Sequence, residues 1–279
     1  MMSVMSAIES HPAERLGPAA LAILFERVYE GYSVPLHVDE TLLRMMVEIY
    51  DEDLSASVVL REAGEPIALA LLGVRPPMGW VGGMGVVTSH RRQGLGRKVM
   101  NSLIASAKGM GLRELWLEVL EQNTAAHSLY ASLGFEQVRM VEVWTFSAPS
   151  GGPTPGWTVT EGEQLDGPPG ERDPWQRAQA TRAHLALRPP GISQLCVRGE
   201  GMAGSLTLRT NGDTLSLLDA RGGGNCAWWA GAIAQAMLAR GAKLLRVLNT
   251  EAGGRLASAA KLAQGAREAS QHEMRLNLG

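Results

Sequence analysis

Only two cysteines, Cys196 and Cys226, occur in 279 residues. Two are too few for a disulfide framework or a cysteine-rich zinc site. An excess of one charge is also lacking: 26 Lys and Arg against 28 Asp and Glu leave a net −2. That balance excludes a chain built around nucleic acid, where a strongly basic domain is the rule. No apolar run reaches the roughly 20 residues that a bilayer-spanning helix needs. The opening MMSVMSAIESHPAERLG lacks the basic start and apolar stretch of a secretory signal. The expectation is a cytoplasmic protein that binds neither nucleic acid nor membrane and holds no metal. What is present is core-forming material, 45% hydrophobic against 19% charged, which excludes wholesale disorder. At about 150 residues per domain the length fits two domains.

The two halves differ in charge. Up to Ser150 there are 12 Lys and Arg against 17 Asp and Glu, and from Gly151 onward 14 against 11. The change coincides with SAPSGGPTPG at 147–156, a Pro/Gly/Ser composition typical of a flexible linker. Domains over 1–146 and 157–279, joined by 147–156, are expected.

In the first half, Val4 to Ile8 reads as an opening strand. Pro18 to Tyr29 reads as a helix, with Leu21, Leu24, Phe25 and Val28 at helical spacing. A second helix starts after Asp39 as N-cap, with Leu42, Met45, Met46 and Ile49 as its stripe. Ser57 to Glu62, Pro66 to Arg75 and Trp80 to Val87 have strand length and turn residues between them. Leu95 to Lys108 is helical, Arg113 to Leu120 a strand, Asn123 to Leu133 a helix and Phe135 to Phe146 a strand. The order defines an α/β domain with a mixed sheet.

The densest chemical signal is VVTSHRRQGLGR at 86–97. A strand runs into a basic turn and a helix begins near Gly94. Helix N-termini expose unpaired N–H groups and partial positive charge, which suits an anion. Gly94 and Gly96 leave room for a phosphate, and Arg91, Arg92, Arg97 and Lys98 add charge. A glycine-dependent surface turn with solvated arginines is the plain alternative. The dinucleotide pattern fails because Val99 stands where its third glycine belongs, and the P-loop pattern fails because Arg97 follows Gly96.

A second segment, LWLEVLEQN at 115–123, leads into Ala126, Tyr130, Gly134 and Phe135. Asn123 and Tyr130 are two helical turns apart with Ala126 between them, so the three share one face. Singly, each has an ordinary reading: an N-cap, a packing alanine, a surface tyrosine. Glu118 points opposite to Leu117 and Val119 on its strand.

Taken together, Arg91-Arg92-Gln93-Gly94-Leu95-Gly96 and the series Asn123, Ala126, Tyr130, Gly134, Phe135 resemble the two signatures of the Gcn5-related N-acetyltransferase (GNAT) family. The resemblance extends over residues 1 to 146. Around LWLEV and the following Asn it is similar to bacterial enzymes that acetylate protein N-termini; Gly31 to Pro35 departs from them. It implies acetyl-CoA as co-substrate and transfer of its acetyl group to a primary amine of a small molecule or protein. A non-catalytic acyl-CoA sensor is the alternative. It implies that Val86 and Val87 pair with the pantetheine arm, and that Arg91, Arg92, Gln93, Gly94, Leu95, Gly96 and Arg97 form the pyrophosphate turn. Asn123 and Ala126 would lie along the cofactor, and Tyr130 would protonate the departing thiolate. Glu118 is the foremost candidate for the base, with Glu30, Asp39 and Glu40 open as others. His90 and His127 read as solvated or structural.

The second half repeats the element order: strands over Trp157 to Gln164, Ser193 to Glu200, Met202 to Arg209 and Thr214 to Ala220, with a helical region near Trp175 to Leu187. A helix over Ala227 to Ala239, a strand over Lys243 to Asn249, a helix over Gly254 to Leu262 and a strand over Glu268 to Leu278 follow. A degenerate tandem copy is the simplest account. Both signatures are gone: DARGGGNC at 219–226 replaces the phosphate turn, and Lys261 falls at the tyrosine position. The whole is expected to be two GNAT-like α/β domains with mostly antiparallel mixed sheets, the second one structural, in a monomer or homodimer.

Overall fold

The computed structural model describes residues 7–32, 37–162, 165, 173–187 and 189–279. Its opening strand, β1, is Ile8–Pro12. The expected strand at Val4 to Ile8 falls mostly on residues outside the described ones. Helix α1 (Pro18–Val28) carries proline at its first position, where an N–H has no partner to lose. Leu21, Leu24, Phe25 and Val28 are its buried stripe, and each contributes about 1.5–3 kcal/mol on burial. Asp39 caps α2 (Glu40–Ile49), accepting the Leu42 N–H at 2.8 Å. Here the stripe differs from expectation: Leu43 and Ile49 are buried, while Leu42, Met45 and Met46 are half-buried. The helix is rolled by part of a turn.

Strands β2 (Val58–Glu62), β3 (Glu65–Arg75) and β4 (Met78–Val86) form an antiparallel ladder. The two-residue turn Ala63-Gly64 has φ of 49° and 86°, the geometry that matches the twist of a tight hairpin. After them come α3 (Leu95–Gly109), β5 (Glu114–Leu120), α4 (Thr124–Ser132) and β6 (Glu136–Ser147). The second half contains β7 (Thr158–Glu161), α5 (Gln179–Ala186), β8 (Ile192–Gly199), β9 (Met202–Asn211) and β10 (Thr214–Gly222). It ends with α6 (Cys226–Arg240), β11 (Leu244–Glu251), α7 (Arg255–Leu262) and β12 (Ala266–Asn277).

By contacts the chain divides into two units. The first is Met1–Val119, Asn123–Val138 and Glu273–Gly279; the second is Leu120–Gln122 and Arg139–His272. Sequence halves and contact units differ at three places. Leu120–Gln122 count with the second unit, Glu121 N–H donating to the Ser270 carbonyl at 2.9 Å. Residues 139–147 of β6 count with the second unit, because β6 pairs there with β11. The chain end counts with the first: Met274 and Leu278 are in its core, and the Leu278 N–H donates to the Arg113 carbonyl at 2.8 Å.

Two features of the first unit position its site. Parallel strands β4 and β5 pair only where Met78, Gly79 and Trp80 face Glu114, Leu115 and Trp116, and beyond Trp80 no further pairs form. The register between β3 and β4 also slips, Leu71 opposing Gly83 and Leu72 opposing Val81. Gly82 is therefore the extra residue of a β-bulge, a device that re-aims neighbouring side chains.

The second unit repeats the plan, with β10 parallel to β11 over four residue pairs. Its glycine run serves packing. A Cβ on Gly223 would lie 2.4 Å from Cζ3 of Trp228, and Trp228 and Trp229 are fully interior. Lys261, at the tyrosine position, lies over the Trp144 ring at 5.9 Å. The join at 147–156 is irregular beyond β6, as its composition implies, but it is tied down. Thr154 N–H donates to Gln235 Oε1 at 3.2 Å and Gln235 Nε2 to Thr154 Oγ1 at 3.0 Å.

Candidate active site

The basic turn follows β4. Val87 N–H donates to the Ile67 carbonyl at 2.9 Å, and the Val87 carbonyl accepts His90 N–H at 2.9 Å. The Val86 carbonyl accepts Arg91 Nε at 3.0 Å. Internal bonds thus use both backbone groups of Val87 and one lone pair of Val86. Arg91 differs from the other turn cations. Its guanidinium also donates to the carbonyls of Val28 (3.0 Å) and Glu30 (2.9 Å), at the end of α1 where helix carbonyls lack partners. Its charge fastens α1 to the turn.

Beyond it the backbone bends sharply. Arg92 has φ 61°, and Gly94, the N-cap of α3, is left-handed at φ 78°, ψ 0°. A Cβ on Gly94 would meet nothing within 4 Å, so conformation is what demands glycine there. Gly96 is different: its Cβ would lie 3.2 Å from Leu129 Cδ2, so glycine lets α3 approach α4. The first intrahelical bond is Lys98 N–H to the Gly94 carbonyl at 3.1 Å. The amides of Leu95, Gly96 and Arg97 precede it, the geometry of an anion cradle. Leu95 itself points into the core. Gln93 Nε2 donates to the Ser89 carbonyl at 3.4 Å, Arg97 to Ser132 Oγ at 2.6 Å and Lys98 Nζ to the Ile8 carbonyl at 2.6 Å. Arg92 is exposed.

Asn123 caps α4, its Oδ1 accepting the Ala126 N–H at 3.2 Å, and Ala126 is half-buried. Tyr130 is 7% exposed, so the surface reading of this residue does not hold; its ring lies 5.8 Å from that of Phe135. Burial above all, then the phenols of Tyr29 and Tyr32, hold its pKa well above the ordinary 10. The hydroxyl stays protonated at any working pH, as a proton donor must.

Three neighbours carried no motif. Tyr29, at the end of α1, accepts the Met84 N–H at 3.3 Å and packs edge-on to Tyr32 at 5.1 Å. The Tyr32 hydroxyl is raised by burial, against a hydrogen bond with Asn123. The third is Glu52, 5% exposed. Its only sequence signal is an acidic triplet, Asp51-Glu52-Asp53, of the kind usually solvated. Glu118 lies on β5 and accepts the Trp80 indole N–H at 2.9 Å. Of the other acids considered, Asp39 caps α2 and Glu40 pairs with Arg44 at 2.6 Å. His90 is held by Glu62 at 3.0 Å. Among the described residues no cluster of metal-ligating side chains occurs.

The first unit thus combines a basic, glycine-containing turn that opens α3, a gap between β4 and β5, and a buried phenol on α4. Residues 24–135 match the model of the acetyltransferase (GNAT) family, and the chain carries a GNAT domain. The [ribosomal protein bS18]-alanine N-acetyltransferase of Escherichia coli strain K12 is 37% identical over 78 residues, 28% of this chain and 53% of that protein. The Haemophilus ducreyi counterpart is 38% identical over 55 residues, 20% and 38% of the two chains. The chain spans about half, or less, of the length of these curated relatives. Among solved structures, a tandem GNAT protein from the clavulanic acid biosynthesis pathway aligns over 98% of this chain and 99% of its own, with TM-score 0.69 and 13% identity. A GCN5-related N-acetyltransferase from Sphaerobacter thermophilus aligns over 97% and 96%, with TM-score 0.66 and 15% identity. At such identities the likeness shows the fold: two GNAT-like modules in tandem.

Proposed function

We propose that the first unit transfers an acetyl group from acetyl-CoA to a primary amine, and that the α-amine of a protein N-terminus is the acceptor class it fits best. One observation carries the reading. A buried, permanently protonated Tyr130 shares its surroundings with Asn123, Tyr32 and Tyr29, beside the gap where β4 leaves β5. The amides opening α3 suit a pyrophosphate, and Arg92 and Arg97 add charge there. Between the two, the divergent strands offer unpaired backbone to an extended pantetheine arm.

The chemistry asks the chain for orientation and proton handling. Amine and thioester are held together, nitrogen attacks the carbonyl carbon, the C–S bond breaks, and Tyr130 gives its proton to sulfur. The partial likeness to alanine N-acetyltransferases supports a protein α-amine. So does its pKa of about 7.7–8.0, far below that of lysine. The second unit, without either signature, would bind no CoA.

The test is thiol release from acetyl-CoA on addition of an alanine-initiated peptide, with a polyamine and a lysine peptide alongside. Release with the first and little with the others is the expected result. Acetyl-CoA binding without release to any amine would leave the non-catalytic sensor in its place.

A further inference from the structure

The acceptor's ammonium must lose a proton before its nitrogen can attack, and a carboxylate already satisfied by hydrogen bonds is a poor place to put it. Glu118 holds the Trp80 indole N–H. Glu52 holds nothing: both carboxyl oxygens are buried and neither has a hydrogen-bond partner. Leaving a buried polar group unsatisfied ordinarily costs about 1–3 kcal/mol, so such a group calls for a reason.

Its position supplies one. Glu52 follows α2, where Asp51 takes a left-handed φ of 53°, and its backbone is anchored by Glu52 N–H to the Val47 carbonyl at 2.9 Å. The side chain then lies against the β4 bulge. A Cβ on Gly82 would stand 2.1 Å from Glu52 Oε1 and 2.8 Å from Trp80 Cζ3. Gly82 is the second residue beyond the last β4–β5 pair. The bulge therefore opens a place for one carboxyl at the base of the gap. On the other side, Tyr29 feels the charge of Glu52 and is in turn felt by Tyr130. Tyr29 Oη stands over the next residues of β4, 3.5 Å from where a Cβ on Gly83 would lie and accepting the Met84 N–H at 3.3 Å.

We infer that Glu52 is the catalytic base of the amine half-reaction, taking the ammonium proton directly or through one water. This rests on the acetyl-transfer reading of the same site. The ammonium gives one proton to the Glu52 carboxylate; its freed lone pair forms the C–N bond as the C–S bond breaks. Tyr130 protonates the sulfur and is reprotonated by the second proton of the attacking nitrogen. Glu52 releases its proton to solvent as the amide leaves, so acetyl-CoA and ammonium give amide, CoA thiol and one proton. Desolvation pushes the Glu52 carboxyl up to about 8, matching a protein α-amine at about 7.7–8.0, so the proton passes between them at little cost.

The titratable groups packed around Glu52 leave this role to it. Tyr29, from α1, is itself raised by burial. Arg75, from β3, is engaged by Asp51 at 2.7 Å and by the Ile49 carbonyl at 3.2 Å. Glu118, from β5, stands beyond Trp80.

The experiment compares the full-length wild type with Glu52→Gln, Glu52→Asp and Glu118→Gln. It reads kcat for thiol release with an alanine-initiated peptide from pH 6 to 9.5. Glu52→Gln is expected to lose on the order of 10²-fold or more at pH 7. Below about pH 8 the deficit should stay level, because the Glu52 carboxyl and the amine take up protons together; above it the deficit should shrink about tenfold per pH unit, because neutral amine no longer needs a base. Glu52→Asp, which keeps a carboxyl, should recover part of the rate, and Glu118→Gln should leave the deficit's pH dependence absent. A Glu52→Gln deficit that stays constant from pH 8 to 9.5, or no deficit, overturns the assignment while leaving acetyl transfer intact. A wild type that releases no thiol with any amine overturns both.

Discussion

Replacing Glu52 with glutamine should stabilise the protein at pH 8 relative to pH 4.5, whatever it does to activity. The carboxyl's pKa is raised from 4.5 to about 8 by burial. Below pH 4.5 it is protonated in folded and unfolded chains alike and contributes no pH dependence. Between 4.5 and 8 the unfolded chain gives up a proton that the folded chain keeps, so stability falls as pH rises. One pKa unit is worth about 1.4 kcal/mol. A shift of roughly 3.5 units therefore removes about 5 kcal/mol by pH 8, an order-of-magnitude figure. Glutamine has the same shape and no proton to lose, so only the wild type follows this slope. For a domain of this size about 1 kcal/mol moves Tm by 2–4 °C, so Glu52→Gln should gain on the order of 10 °C on the wild type between pH 4.5 and 8. Thermal unfolding of both proteins at half-unit pH steps measures this, and other titrating groups cancel in the difference. A difference that does not change with pH would refute the reasoning, because Glu52 would then be solvated or paired like an ordinary glutamate.

Tyr130→Phe keeps the ring and deletes the proton donor, so kcat should fall about 10²–10⁴-fold while acetyl-CoA affinity, read by calorimetry, changes little. Gly82→Ala should destabilise by about 1–3 kcal/mol, since its methyl would stand 2.1 Å from Glu52 Oε1. Adding Glu52→Ala should relieve most of that cost, a non-additivity that a double-mutant cycle in denaturant would read.

Much of this was written in the sequence where local physics decides. The α1 stripe, the Asp39 cap and the Gly94 turn follow from spacing, a capping oxygen and a backbone demand that no other part of the chain alters. The limits were tertiary. Leu43 displaced Leu42 from the core because packing, not period alone, set the roll of α2. Tyr130 is buried by α1 and its tyrosines, which nothing near residue 130 announces. Glu52 sits in an acidic triplet that reads as solvent-facing; its burial depends on a bulge at Gly82, thirty residues later. Arg91 reads as a phosphate ligand by charge, yet three carbonyls hold it, a role visible only once α1 is folded beside the turn. In the second half the glycines at 222–224 had the composition of an anion loop, but the Ala203 carbonyl crowds Gly222, Trp228 and Trp229 crowd Gly223, and Met202 and Trp228 crowd Gly224.

The central claim is that one GNAT module of the pair handles acetyl-CoA, through the turn that opens α3. Calorimetric titration of acetyl-CoA into the full chain tests it most directly, with Gly94→Asp beside the wild type and Gly94→Ala as the control for the left-handed backbone. The account predicts one site per chain, weakened far more by aspartate than by alanine, because only aspartate sets a negative charge beside the pyrophosphate. Two equivalent sites, or equal affinity in wild type and Gly94→Asp, would contradict it.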